Sequence, residues 1–158
     1  MRVTVCIFLL VAAPAVWAQQ TQDYETPPTQ TLYPLPQVEG ALQWEMLLDL
    51  EMIYEGVDLV PEYSPEVQAL AGTKVQVVGF LMPLAMDGTR GLLSMISPAC
   101  PFCLPGGPET FVEVRAEAPI EWTDEAVLIA GQLELISNSY SGFFYRLWDA
   151  QRLPLPSS

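Results

Sequence analysis

Between residues 73 and 148 short apolar stretches alternate with polar positions and are broken by Gly, Pro and Asp, the pattern of strands joined by turns. Residues 74–82, Lys-Val-Gln-Val-Val-Gly-Phe-Leu-Met, read as a first strand with Gly79 inside it. Met86-Asp87-Gly88-Thr89 follows as a hairpin turn with Asp-Gly at the tight position. Further strands are expected over residues 91–96, 110–115, 126–136 and 143–148, the penultimate one with Gly131 at its middle. Residues 98–108 read as an irregular loop, 121–125 as a polar connection and 138–142 as a turn. Upstream the period changes. Leu42, Met46, Leu50, Ile53 and Tyr54 fall on one face of a helix predicted over residues 42–54, leaving Glu45, Asp49 and Glu51 to solvent and Gly56 as its stop. Ser64-Pro65-Glu66 opens a short second helix, with Ser as N-cap and Pro in the first turn, and Gly72 closes it.

The fold class is therefore mainly β with one or two helices. Glycine within a strand marks a bulge or a barrel corner. Five strands, two with such a glycine, predict a small barrel like that of the oligonucleotide/oligosaccharide-binding (OB) fold. A curled antiparallel sheet preceded by the N-terminal helix is the alternative.

The ends of the chain carry a different pattern. Arg2, an apolar run from residue 3 to 13, Pro14, and Val16-Trp17-Ala18 form a secretory signal peptide over residues 1–18. The run is too short to span a bilayer, which needs about 20 residues. Residues 19–39 are a Pro-, Gln- and Thr-rich leader with no core expected, residues 40–153 a single globular domain, and residues 154–158 a loose tail. No transmembrane segment is expected after cleavage. The short positive region and the small mature domain point to the periplasm.

Composition narrows the function classes. The chain has 158 residues, 19 Asp and Glu against 6 Lys and Arg, a net charge of −13, and no His. Without His, Ser-His-Asp and Cys-His nucleophile systems and imidazole metal sites are excluded. Removal of Arg2 would take the charge from −13 to −14. Nucleic-acid affinity rests on Lys and Arg, so no nucleic acid is expected as partner. Trp44, Trp122, Trp148, Phe143, Phe144 and Tyr145 are candidates for a stacking surface of the kind OB barrels use, with a sugar or a peptide as ligand. Alternation along residues 143–148 turns some of them into the core.

The chemistry-bearing segment is Cys100-Pro101-Phe102-Cys103-Leu104-Pro105-Gly106-Gly107-Pro108-Glu109. A C-x-x-C pair has three readings here. A thiol–disulfide oxidoreductase needs the attacking Cys at a helix N-terminus, and the Pro and Gly residues after Cys103 oppose that helix. A metal site for zinc or copper needs further ligands. Glu109 or Glu113 would supply carboxylates, Met82, Met86 and Met95 thioethers, and a second copy of the chain two more thiolates. A structural disulfide would instead shape the loop set by Pro101, Pro105, Gly106, Gly107 and Pro108.

An ordered set of motifs resembles a known family. Val78-Gly79-Phe80-Leu81-Met82-Pro83-Leu84, an Ala-Cys loop rich in Pro, Val112-Glu113-Val114, residues 127–133 with Gly131, and Gly142-Phe143-Phe144-Tyr145 together resemble domain of unknown function 3299, over residues 75–147. The resemblance implies a small exported bacterial barrel with a metal-related role. Many members carry His in the cysteine loop; here Phe102 stands near that position, and Cys103 offers a two-sulfur site instead. No catalytic residue is implied. The resulting expectation is a non-enzymatic binding module acting on a soft metal ion or a metal-trafficking partner through Cys100 and Cys103. The alternatives are an interaction domain with a disulfide-shaped loop, and the oxidoreductase.

Overall fold

Strands form where alternating Val, Leu and Ile can pack one face inward. The computed structural model describes residues 34–100, 106–137 and 142–156, all within one compact unit, Thr31–Ser158. The signal-peptide region, the leader up to residue 33, and Pro101, Phe102, Cys103, Leu104 and Pro105 lie outside the described residues.

In chain order the elements are α1 (Trp44–Leu47), β1 (Leu50–Glu55), β2 (Asp58–Tyr63), α2 (Pro65–Gln68), β3 (Lys74–Pro83), β4 (Arg90–Ser94), a 3-10 turn (Pro108–Thr110), β5 (Phe111–Arg115), β6 (Ala126–Leu135) and β7 (Tyr145–Leu153). Five strands close into a barrel in the order β3-β4-β5-β7-β6. Every neighbouring pair is antiparallel except β5 and β7, which run parallel, with Val112 opposite Tyr145 and Val114 opposite Leu147. This is the closed OB-like barrel expected from five strands, two with mid-strand glycines, and not the alternative, a curled open sheet. Val75, Val77, Leu81, Leu93, Val112, Val114, Val127, Ile129, Leu133, Tyr145 and Leu147 fill one core cluster.

Gly131 performs the role its mid-strand position suggested. Ala130 pairs with Gln151 and Gln132 with Trp148, so Asp149 and Ala150 together oppose Gly131 in a β-bulge. Asp149 takes the left-handed conformation there, φ 49°. A Cβ on Gly131 would lie 2.8 Å from the Trp148 carbonyl oxygen.

The predicted helix over residues 42–54 is not one helix. Only Trp44–Leu47 is helical, and β1 and β2 form a separate antiparallel hairpin. Gly56, read as a helix stop, is the first residue of a two-residue turn between the paired Glu55 and Asp58. Its φ of 67° suits a II′ hairpin turn. The second helix starts as expected, with the Ser64 hydroxyl accepting from the Val67 N–H, but it ends at Gln68 and the chain reaches Gly72 through turns. The last strand runs to Leu153, five residues past the expected end at Trp148.

The end of the leader also has more structure than expected. Val38 is buried with Val78 and Leu128, and Leu35, Leu153 and Leu155 pack on that cluster. The Leu42 N–H donates to Gln76 O at 2.7 Å. Extended, Pro-containing backbone still buries apolar side chains when it lies along a strand. The segment from α1 to α2 joins the main core through Trp44, Leu47, Tyr63 and Val67. The Trp44 indole donates to Val78 O at 2.8 Å, and the Tyr145 hydroxyl donates to Leu47 O at 2.6 Å. The Tyr63 hydroxyl lies 2.8 Å from both the Ile136 and Phe144 carbonyl oxygens. Among the described residues no helix is long and apolar enough to cross a membrane.

Candidate functional site

The loop between β4 and β5 is fixed at both ends by short hydrogen bonds of the kind Ser and Thr make to nearby backbone. On entry, the Ile96 N–H donates to the Ser94 hydroxyl at 3.0 Å and the Ala99 N–H to the Ser97 hydroxyl at 3.2 Å, while the Cys100 N–H donates to the Ser97 backbone carbonyl at 3.1 Å. On exit, the Thr110 hydroxyl donates to Gly107 O at 2.7 Å. Gly106 and Gly107 sit against the side chains of Thr110 and Glu109, where a Cβ would collide. At Gly106 the obstacle is the Thr110 side chain close to its Cβ, whereas at Gly107 it is only the movable carboxylate end of Glu109. Cys100 is buried, and its sulfur is disulfide-bonded rather than a free thiol. Cys103 lies outside the described residues.

The residues proposed as auxiliary ligands are spread over β3, the turn between β3 and β4, and both ends of the loop between β4 and β5. Met95 lies at the loop end and packs against the core. It lines a cavity of about 170 Å³ together with Leu35, Leu42 and Trp44. Met82 pairs across β3–β4 with Leu92. Met86 is fully exposed in the turn at the opposite end of β4. Glu109 is half-buried beside Gly107. Among the described residues no group of three or more Cys, Asp or Glu is arranged to hold a metal ion.

A second cluster lies on the outer face of the barrel. Alternation places Val112 and Val114 in the core and turns Glu113 outward, yet Glu113 is only 1% exposed. Three arginines cover it. Arg90 Nη2 and Arg115 Nη2 each lie 2.9 Å from Glu113 Oε1, and Arg146 Nε lies 2.6 Å from Oε2. Their side chains are 42%, 32% and 18% exposed respectively. Arg146 also pairs with Glu134 at 2.8 Å, and the Trp148 indole donates to the same Glu134 oxygen at 2.6 Å. The Arg115 and Arg146 guanidinium carbons lie 5.9 and 5.3 Å from the Trp148 ring centroid, within cation–π reach.

Burial pushes the Glu113 carboxyl up. Hydrogen bonds from Arg146 and Arg90 and the charges of Arg146 and Arg115 outweigh that and hold it below the ordinary glutamate range. Glu113, considered above as a metal carboxylate, therefore has both oxygens committed to arginine.

The six aromatics do not form one surface. Trp44, Phe144 and Tyr145 are buried, whereas Trp122, in the connection between β5 and β6, and Trp148, on β7, are exposed. The arginine cluster was hidden in the sequence because residues 90, 113, 115, 134 and 146 come from four strands. The local signal was a charge between two valines, Val112-Glu113-Val114, in an otherwise apolar strand.

No family model matches the chain, and no curated protein matches it. Among solved structures the chain resembles a crystal structure of a DUF3299 family protein from Pseudomonas aeruginosa PAO1. The two are 18% identical, with a TM-score of 0.46 over 61% of this chain and 70% of that one. The likeness is to the same family that the strand and loop motifs resemble.

Proposed function

We propose that the chain is an exported, non-enzymatic interaction module, in which a barrel presents a loop shaped by a Cys100–Cys103 disulfide to a protein partner. The observation that carries the reading is the state of Cys100: buried, disulfide-bonded and tied by its own backbone to Ser97. The reading takes Cys103 as its partner, because the chain's remaining cysteine, Cys6, belongs to the segment expected to be removed on export. Such a bridge closes a four-residue loop and is worth about 2 kcal/mol. It persists in the oxidising periplasm.

A zinc or copper site on the same loop needs thiolates, and a disulfide sulfur supplies none. The metal reading belongs to the reduced protein only. The deciding measurement is the mass of natively purified mature protein under non-reducing conditions, with elemental analysis. The expected result is a mass about two daltons below the reduced value, two hydrogens being lost per S–S bond, with no stoichiometric metal. A reduced pair carrying zinc or copper overturns the interaction reading in favour of metal handling.

A further inference from the structure

Three of the chain's six basic residues meet on one outer face of a protein whose net charge is −13. Arg90, Arg115 and Arg146 face the carboxylates of Glu113 and Glu134, three positive charges against two within the ion-pair network itself. The donors of Arg146 are divided between both carboxylates. Arg90 and Arg115 are different. Each makes one ion pair, to the same Glu113 oxygen, out of the five N–H donors a guanidinium carries. Arg90 Nε and Arg115 Nε are shielded from solvent and hydrogen-bond to nothing among the described residues.

Beside these two arginines lies a depression of about 310 Å³, lined also by Thr89, Glu117, Trp148 and Asp149. Its chemistry has three parts. The guanidinium forks suit a carboxylate, which they bind in pairs of parallel hydrogen bonds. Glu117 and Asp149 repel a bare anion but accept hydrogen bonds from hydroxyl groups. The partly exposed Trp148 indole offers a flat apolar wall.

We propose that this depression binds a carboxylate-bearing sugar of the hexuronic-acid class. One molecule then answers all three features: its carboxylate meets Arg90 and Arg115, its hydroxyls meet Glu117 and Asp149, and the C–H face of its ring rests against Trp148. The site is separate from the cysteine loop and does not depend on the role proposed there.

The test is an NMR titration of the folded, isotope-labelled protein with glucuronate, its methyl ester, glucose, acetate and a short peptide with a free C-terminus. Glucuronate is expected to bind at least tenfold more tightly than the other four and to shift the Trp148 indole N–H signal. Trp148→Ala is expected to weaken glucuronate at least tenfold, and Trp122→Ala to leave it unchanged. Arg115→Gln also disturbs Glu113, so Asp149→Asn provides the independent check. Asn tolerates the left-handed conformation at that position. That variant is expected to weaken glucuronate and strengthen acetate. Equal binding of glucose or the methyl ester overturns the proposal by removing the carboxylate's role. Equal or tighter binding of acetate or the peptide overturns it by removing the sugar's. Absence of saturable glucuronate binding by the folded protein overturns it outright.

Discussion

Replacing Glu113 with Gln keeps the side chain's shape and removes its charge. Three guanidinium groups are then left around an amide whose own NH2 points donors at donors. The native pairs are short, at 2.6, 2.9 and 2.9 Å between heavy atoms. With charge centres about 4 Å apart and an effective dielectric near 20, each attraction is about 4 kcal/mol before desolvation. Dehydrating a carboxylate this deeply covered consumes most of that sum. Arg90, at 42% exposure, is screened to below about 1 kcal/mol. Arg146 keeps Glu134 as a partner. The remaining loss, that of the buried anion with its partners left in place, is about 3 kcal/mol. Urea unfolding followed by circular dichroism should show a lower midpoint with an unchanged slope. The thermal midpoint should fall by on the order of 10 °C. Arg90→Gln, the control, should cost less than about 1 kcal/mol. The pH dependence follows from the depressed pKa of Glu113. Its stabilisation is complete above the ordinary value of about 4.3 and is lost as pH falls through the folded value. The variant should lack that part of the acid limb. A Glu113→Gln protein within about 0.5 kcal/mol of the parent, the range of ordinary surface changes, would refute the reasoning, as would an unchanged acid limb.

Two further substitutions probe the barrel's joints. Tyr145→Phe removes the 2.6 Å bond to Leu47 O and should cost about 1–3 kcal/mol, the penalty for a buried carbonyl left unpaired. Burial holds the Tyr145 hydroxyl above its ordinary value, so its contribution is full below about pH 10 and is lost as pH rises further. The variant should therefore be less sensitive to alkali, and a parent-like alkaline limb counts against the assignment. Gly131→Ala places a Cβ 2.8 Å from the Trp148 carbonyl oxygen and 3.0 Å from Leu147 Cβ. Thermal unfolding should show a loss of about 1–3 kcal/mol, and a neutral result would mean that the bulge relaxes freely.

The barrel was legible because its strands obey one rule, apolar inward and polar outward, with Gly88 and Gly142 at turns that need positive φ. The rule failed where the structure departs from it. In β1 the burial runs half-buried, exposed, exposed, and repeats. That three-residue period imitates a helix, and the left-handed glycine at position 56 serves a helix end and a hairpin turn equally well. β7 was cut short because Asp149 and Ala150 share one partner position, which shifts the alternation after Trp148. At the candidate sites, the loop's glycines and prolines were readable as local chemistry. The arginine cluster was not, because pairing across β4, β5, β6 and β7 is a property of strand register rather than of spacing along the chain.

The parallel pair has a consequence for how the barrel is assembled. β7 inserts between β5 and β6, so it forms both seams at once. Without it, β3, β4, β5 and β6 would be an open sheet with the free edges of β5 and β6 facing the gap. Free edges of apolar strands invite pairing with other chains. β7 meets β5 across more than thirty residues of intervening chain, Val112 to Tyr145. Such distant pairing is slow, because the loop must close before the contact repays it. The seam between β3 and β6 spans more still, Phe80 to Ala126, so closing the ring requires two distant pairings, and a barrel open at either one exposes free strand edges. Arg146 travels on β7, so the Glu113 charge gains its nearest partner only as the barrel closes.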